Sequence, residues 1–204
     1  TQNDDPQGAS KPFSKTRDGF VMAEGSATLV LESYEHAKAR GAKILGVVRG
    51  TGERADTFHR TRSKPDGSAI IDTINRSLAD AGMSPSEIDC INAHGTSTPE
   101  NDKMEYLALA TSLGDDLANA PISSNKSMIG HTLSAAGTIE AAISLMTLHA
   151  GVIPPTINCH EQDPNIQMDV VPNVKRTKAV NSVMSNSFGF GGQNVCLIFS
   201  SEPA

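Results

Sequence analysis

Apolar and polar residues follow one another along the chain in two periods, one typical of strands and one typical of helices. Apolar residues recur on one helical face between residues 69 and 81, and Gly82 supplies a left-handed stop after them. A second helix is predicted over residues 102–112, with a shared face formed by Met104, Leu107, Ala108 and Thr111. Residues 133–149 are apolar on all sides, which predicts a helix buried among other elements.

Short β-branched and aliphatic runs between these helices predict strands. Three single strands are predicted over residues 27–33, 44–49 and 88–92. Residues 183–185 and 195–199 are predicted to pair through the glycine-rich turn between them. A helix over residues 34–40 and a helical turn over residues 84–87 complete the pattern. Strands that alternate with helices indicate the α/β class.

Composition excludes several kinds of protein. The 204 residues are 38% hydrophobic, enough for one core or two small ones. A net charge of -6, without a run of basic residues, argues against a nucleic-acid partner. The apolar stretches are too short for a membrane span, and three cysteines without a CxxC pair predict a reducing compartment such as the cytoplasm. The polar opening at Thr1 is interpreted as a cut into a longer chain.

Three polar segments each follow a predicted buried element, over residues 92–99, 123–131 and 186–194. Loops at strand ends are the usual place for ligands in α/β sheets, so one shared site is predicted. Two histidines in these loops stand next to glycines, at His94-Gly95 and Gly130-His131, where the backbone can approach a ligand closely. A single loop histidine is more often structural than catalytic.

The sequence segments around these histidines resemble those of a known family. The segments NAHGTSTP, SSNKSMIGHTLSAAGTIEA and SNSFGFGGQN, in this order and preceded by DGFVMAEG, are similar to the β-ketoacyl synthases, and more to their synthase II branch than to synthase I. The resemblance implies a thiolase-like fold, layered α-β-α-β-α. Residues 1–41 would end its N-terminal half, and residues 42–204 would form its C-terminal domain.

The family's reaction is a decarboxylative Claisen condensation of an acyl thioester with a malonyl-acyl-carrier protein. By this resemblance His94 and His131 are predicted to stabilise negative charge on the thioester oxygen, and Lys126 to organise the site electrostatically. None of the three cysteines stands at a strand-to-helix turn, so the nucleophilic cysteine is expected upstream of residue 1. No cofactor is expected besides the phosphopantetheine of the carrier.

Further roles follow from the same resemblance, each with a simpler alternative. Phe190 matches a gating phenylalanine whose backbone N–H would complete the oxyanion hole, although an aromatic in a hairpin turn is also often part of a core. Thr96 and Thr98 match residues that contact the phosphopantetheine arm, and helix capping would explain them as well.

Glu140 lies in an apolar helix and needs a partner, because an unpaired buried carboxylate is costly. The resemblance implies a structural monovalent cation held by Asn92, Glu140 and Asn186. A hydrogen-bonded or salt-bridged acid explains Glu140 equally well.

The resemblance implies an acyl carrier protein and acyl and malonyl thioesters as partners, a homodimer, and a cytoplasmic location, or a mitochondrial or plastid one in a eukaryote. Arg60, Arg62 and Lys64 make the segment after His59 basic, and contact with the acidic carrier is a hypothesis for them. Two alternatives to a fatty-acid condensing enzyme stay open: a non-catalytic subunit resembling a polyketide chain-length factor, and an acyl-binding module.

Overall fold

A computed structural model of the chain describes residues 2–202. The helices are α1 (Tyr34–Ala39), α2 (Ser68–Ala81), α3 (Pro99–Leu113), α4 (Lys126–Ile129) and α5 (Ala136–Ala150). The strands are β1 (Val47–Ala55), β2 (Cys90–Asn92), β3 (Ile122–Ser123), β4 (Val152–Ile153), β5 (Arg176–Thr177), β6 (Ser182–Phe188) and β7 (Gln193–Ser200). Within residues 2–202, no helix has the length and apolar character needed to cross a membrane.

Five strands form one mixed sheet in the order β1-β7-β6-β2-β3. The central strand β2 runs parallel to both of its neighbours, β3 and β6. The hairpin of β6 and β7 is antiparallel, and β1 pairs antiparallel with β7 at the edge. Strands β4 and β5 form a separate two-stranded ladder. The polar loops after β2 and β3 therefore leave the sheet at the same edge, beside the turn that follows β6.

Helices cover both faces of this sheet, because alternate strand residues point to opposite sides. Ile91, Met184 and Ile198 face the larger core beneath α2 and α3. Their chain neighbours Cys90, Val183 and Phe199 belong to a second core with Ala141 and Leu148 of α5. The α/β class is therefore confirmed, as a sheet between two helix layers.

Most of the predicted elements are present with small shifts of their bounds. The helix predicted over residues 69–81 is α2, and Gly82 follows it in the left-handed conformation at φ 63°. The turn predicted over residues 84–87 is a 3-10 turn with a capping box between Ser84 and Glu87. The paired strands and their glycine-rich turn are β6 and β7. The strand predicted over residues 44–49 begins later, at Val47.

One prediction was wrong, and a second was confirmed only in part. Residues 27–33 form no strand, because no other strand pairs with them within residues 2–202, and Val30 and Leu31 are 81% and 74% exposed. The helix predicted over residues 133–149 begins with a 3-10 turn and becomes α-helical only at Ala136. It is not buried on all sides either, since Met146 is exposed. Val30, Leu31 and Met146 are therefore exposed apolar side chains in the described part of the chain.

Candidate active site

A cavity of about 740 Å³ opens where the three polar loops meet. Its lining includes His94, from the loop after β2, and His131, from the loop after α4. Phe190, from the turn between β6 and β7, lines it as well. The structure therefore brings together the two histidines and the glycine-flanked phenylalanine that the sequence singled out.

The two imidazoles touch edge to face at the inner end of this cavity. Their ring centroids are 5.4 Å apart, with an interplanar angle of 85°. Phe188 packs against His94 at 5.6 Å, and Phe20 packs against His131 at 5.4 Å. His94 is buried, whereas His131 is half-buried. Apolar rings thus hold both imidazoles in fixed orientations.

Hydrogen bonds to the Nδ1 atoms select the tautomer of each histidine. His94 Nδ1 lies 3.4 Å from Lys126 Nζ, and His131 Nδ1 accepts a bond of 3.2 Å from the backbone N–H of Leu133. An ammonium group and a backbone N–H can only donate, so each Nδ1 is the unprotonated nitrogen. Each neutral ring therefore carries its proton on Nε2, as an N–H donor.

Burial and one cation keep both rings neutral. Burial lowers the pKa of His94 well below 6.5, and the Lys126 ammonium group lowers it further. Burial also lowers the pKa of His131 to about 4, with the Lys126 ammonium group as the second cause. Both side chains are thus uncharged donors near pH 7.

A pH titration of the folded chain tests this electrostatic setting. We expect the Cε1–H NMR signal of His131 to shift with a midpoint near pH 4 in the folded state and near pH 6.5 in urea, the usual value for histidine. Because the folded pKa is the lower one, the neutral ring's contribution to stability is present above the unfolded pKa and is lost as the pH falls through the folded pKa. A folded-state midpoint at about pH 6 or higher would contradict it.

Lys126 does not line the cavity but lies directly behind His94. Its side chain is buried, and its ammonium group forms a short ion pair with Oε1 of Glu140 on α5. Burial raises the pKa of Glu140, while the Lys126 charge lowers it. The Lys126 ammonium group therefore contacts His94 Nδ1 on one side and Glu140 on the other.

Two buried acids that the sequence analysis missed hold the His94 loop in place. Glu105 accepts backbone N–H bonds from His94 at 2.9 Å and from Gly95 at 2.8 Å. Asp102 accepts backbone N–H bonds from Phe13 and Ser97. Burial raises the pKa of Glu105 to about 7 and that of Asp102 to about 6.

The inner face predicted for α3 is confirmed for Met104 and Ala108 but was wrong for Leu107 and Thr111. Leu107 and Thr111 are exposed, whereas Asp102 and Glu105 point inward beside Met104 and Ala108. An acid pair three residues apart, one turn after a His-Gly loop, is the signal that would have located these positions.

The turn that carries Phe190 is fastened to the loop after β1. Gly191 donates its N–H to the Arg60 carbonyl at 2.7 Å, and the Gly192 carbonyl accepts a bond of 2.7 Å from the Asp56 N–H. A Cβ at Gly192 would lie 1.9 Å from the Asp56 carbonyl oxygen, so only glycine allows this approach. Phe190 itself is 67% exposed. The neighbouring aromatic residue Phe188 belongs to the larger core instead.

Thr96 and Thr98 line the same cavity, and their hydroxyls lie 2.9 Å apart. Thr98 is also the N-cap of α3, since its hydroxyl accepts the N–H of Asn101 at 3.1 Å. The capping alternative is therefore confirmed for Thr98, and the same hydroxyl also shares a hydrogen bond with Thr96.

Of the candidate cation residues, Asn92 and Glu140 are in contact, whereas the Asn186 side chain donates to Glu105. Asn92 donates to the Glu140 carbonyl at 3.0 Å, and its own side-chain oxygen accepts from Asn125. Glu140 Oε2 and the side-chain oxygens of Asn125 and Asn186 are buried and find no donor within residues 2–202. In that range no three His, Cys, Asp or Glu side chains cluster as metal ligands. Orphaned amide and carboxylate oxygens fit a hard cation that prefers oxygen ligands.

The three cysteines lie in the interior of the described part of the chain. Cys90, Cys159 and Cys196 are buried free thiols. Burial raises the pKa of Cys90 and Cys196 to about 12 and that of Cys159 to about 11. None of them is a thiolate at neutral pH, and none lines the cavity.

Known proteins resemble this chain along most of its length. Residues 45–160 match the family model of the beta-ketoacyl synthase C-terminal domain, and residues 1–37 match the model of the N-terminal domain. The 3-oxoacyl-(acyl-carrier-protein) synthase 2 of Coxiella burnetii is 46% identical over 98% of this chain and 48% of its own length. The tetracenomycin polyketide synthase ketoacyl synthase alpha subunit of Streptomyces glaucescens is 46% identical over 93% of this chain and 45% of its own.

The chain is also similar to solved structures. A ketosynthase from a complex of a type II polyketide synthase acyl-carrier protein with its ketosynthase, bound to the hexaketide, superimposes with a TM-score of 0.94 at 39% identity. The match covers 99% of this chain and 49% of that one. The thiolase-like α/β fold predicted from the sequence is thereby confirmed. This chain spans about half the length of the curated relatives it matches.

Proposed function

Because the chain belongs to the β-ketoacyl synthase family, we propose that it supplies the histidine half of a site for decarboxylative condensation. The reaction would join an acyl thioester to a malonyl-acyl-carrier protein during fatty-acid elongation. The observation that carries this proposal is the pair of neutral imidazoles, each with Nδ1 occupied and Nε2 protonated, in contact in one cavity.

Two fixed, uncharged N–H donors suit this reaction. When the malonyl carboxylate leaves as CO₂, the electron pair of the broken C–C bond becomes enolate charge on the thioester oxygen. The Nε2–H groups of His94 and His131 are the donors that would stabilise this charge without transferring a proton in advance. The enolate carbon then attacks the acyl carbonyl of the second thioester and expels its thiolate. Product formation thus needs no redox cofactor.

The acyl group needs a nucleophile that this sequence does not supply. The buried, high-pKa settings of its three cysteines support the proposal that the nucleophilic cysteine lies outside residues 1–204. We place the boundary between the two halves near residue 41, and the separate family-model matches over residues 1–37 and 45–160 support this division.

The remaining residues would hold and admit the substrate. Phe190 is proposed as the gate, because its side chain is exposed at the cavity. Its backbone N–H makes no hydrogen bond with residues 2–202, which supports the proposed role of this group in the oxyanion hole. Thr96 and Thr98 are proposed to contact the phosphopantetheine arm from the cavity wall. Lys126 would keep His94 in the Nε2–H tautomer.

A structural monovalent cation is proposed beside the site, held by Asn186 and Glu140 with Asn92 as a further neighbour. The unpaired oxygens of Asn186 and Glu140 support this assignment. The cation would supply a fixed positive charge that stabilises the buried carboxylate.

The proposed partners are an acyl carrier protein and a second copy of the chain, which would cover exposed apolar residues such as Val30, Leu31 and Met146. A cytoplasmic location stays a prediction. The second candidate function is the same condensation in polyketide synthesis, and the polyketide ketosynthases among the similar proteins support it.

A direct assay tests the proposed function. We expect the complete gene product that contains residues 1–204 to condense an acyl thioester with a malonyl carrier, and residues 1–204 alone to form no condensation product. Mass spectrometry of the carrier-bound product checks both. Turnover by residues 1–204 alone would contradict the missing nucleophile, and binding without turnover by the complete gene product would favour a non-catalytic subunit.

A further inference from the structure

The loop after β1 places two unpaired arginines at the mouth of the cavity. Arg60 and Arg62 both line it and both are exposed. Neither guanidinium forms an ion pair or a hydrogen bond with any residue between 2 and 202. Lys64 in the same loop differs, because it pairs with Asp66 at 2.8 Å and does not line the cavity.

This loop is held in place on both sides. The buried Asp56 carboxylate accepts N–H bonds from Phe58 at 2.8 Å and from Lys64 at 2.7 Å. The Arg60 carbonyl accepts the N–H of Gly191 from the opposite wall. The arginine backbones are therefore positioned before any ligand arrives, which lowers the entropic cost of binding.

The charges around the cavity favour the binding of one anion at the two arginines rather than a general attraction of anions to the protein. The protein carries a net charge of -6, so it repels anions at long range. The cavity lining also contains Glu100, which is exposed and not paired with either arginine, and Asp56, whose charge is stabilised by two N–H donors. Two free guanidinium groups thus remain, and their planar forks match a phosphate oxygen pair.

We propose that Arg60 and Arg62 bind the phosphodiester that joins the phosphopantetheine arm to its carrier protein. This inference rests on the proposed function. An arm that reaches His94 and His131 enters past these arginines, and the phosphodiester is the anionic group at the arm's outer end. Its recognition makes Arg60 and Arg62 determinants of specificity for carrier-bound substrates.

Three malonyl substrates distinguish the possible contacts: the malonyl carrier, free malonyl-phosphopantetheine, and malonyl-pantetheine, which lacks the phosphate. With the complete gene product, R60Q/R62Q is expected to raise KM about tenfold for the first two, because charge-assisted contacts are lost. It should leave KM for malonyl-pantetheine and kcat unchanged. K43Q/K175Q, which removes two positive charges from exposed lysines that do not line the cavity, should alter KM less than twofold.

Other outcomes overturn the assignment. A rise in KM for the malonyl carrier alone would indicate that the arginines contact the acidic surface of the carrier. Equal KM values for R60Q/R62Q and the unsubstituted protein would show that the arginines do not contribute to substrate binding. If the unsubstituted protein turns over none of the substrates, the proposed function fails. Calorimetric binding of phosphopantetheine against pantetheine still decides the inference in that case, and it is wrong if R60Q/R62Q binds phosphopantetheine as tightly as the unsubstituted protein.

Discussion

Replacing His94 with alanine is expected to slow decarboxylation of the malonyl carrier by about 100- to 1,000-fold, the usual effect of removing one donor from an oxyanion site. His94 is buried, its orientation is held by Phe188, and Lys126 occupies its Nδ1 atom. The alanine removes the Nε2–H donor and leaves His131 as a single donor. CO₂ release by the complete gene product measures the effect.

Two controls make this experiment specific. H149A changes an exposed histidine at the end of α5, outside the cavity, and should keep the rate within twofold, as is usual for surface positions. H94Q keeps an N–H donor on a flexible chain and should recover part of the lost rate. A rate for H94A within about threefold of the unsubstituted protein would exclude His94 from the reaction.

Replacing Lys126 with methionine is expected to lower the free energy of unfolding by about 3–5 kcal/mol, because it removes the ammonium group that pairs with the buried Glu140 carboxylate. The side chains of both residues are almost fully buried, at 2% and 1% exposure. Without the ammonium group, Glu140 must either stay charged in an apolar setting or take up a proton. Urea denaturation followed by circular dichroism measures the loss.

An exposed pair of the same kind provides the matched control. Lys64 and Asp66 are joined at 2.8 Å, but both side chains are about half exposed. K64M should therefore cost less than about 1 kcal/mol. The double variant K126M/E140L should be more stable than K126M alone, because it removes the unpaired charge as well. Equal losses of unfolding free energy for K126M and K64M would show that burial of the Lys126–Glu140 pair does not increase the cost of breaking it.

Local patterns were sufficient where an element is stabilised by its own neighbours in sequence. Helix α2 follows from the apolar spacing over residues 69–81 and from Gly82, since both act within a few turns of chain. The hairpin of β6 and β7 follows from two apolar runs and the glycines between them. Such features depend on little beyond the segment itself.

Where local patterns failed, long-range contacts determined the structure. Residues 27–33 have the composition of a strand, but a strand needs a partner for its backbone groups, and none pairs with them within residues 2–202. The inner face of α3 was misread because acids are normally exposed. Asp102 and Glu105 point inward because the backbone N–H groups of Ser97, His94 and Gly95 face them.

The sequence by itself determined which groups the candidate site contains: two loop histidines beside glycines, a lysine, and a phenylalanine among glycines. The tertiary structure decided that the imidazoles touch, that both are neutral, and that each presents Nε2–H. The reason is that tautomer and pKa depend on burial and on hydrogen-bond partners such as Lys126, which is 32 residues from His94 in sequence. Spacing along the chain carries no information about such contacts until the sheet brings the loops to one edge.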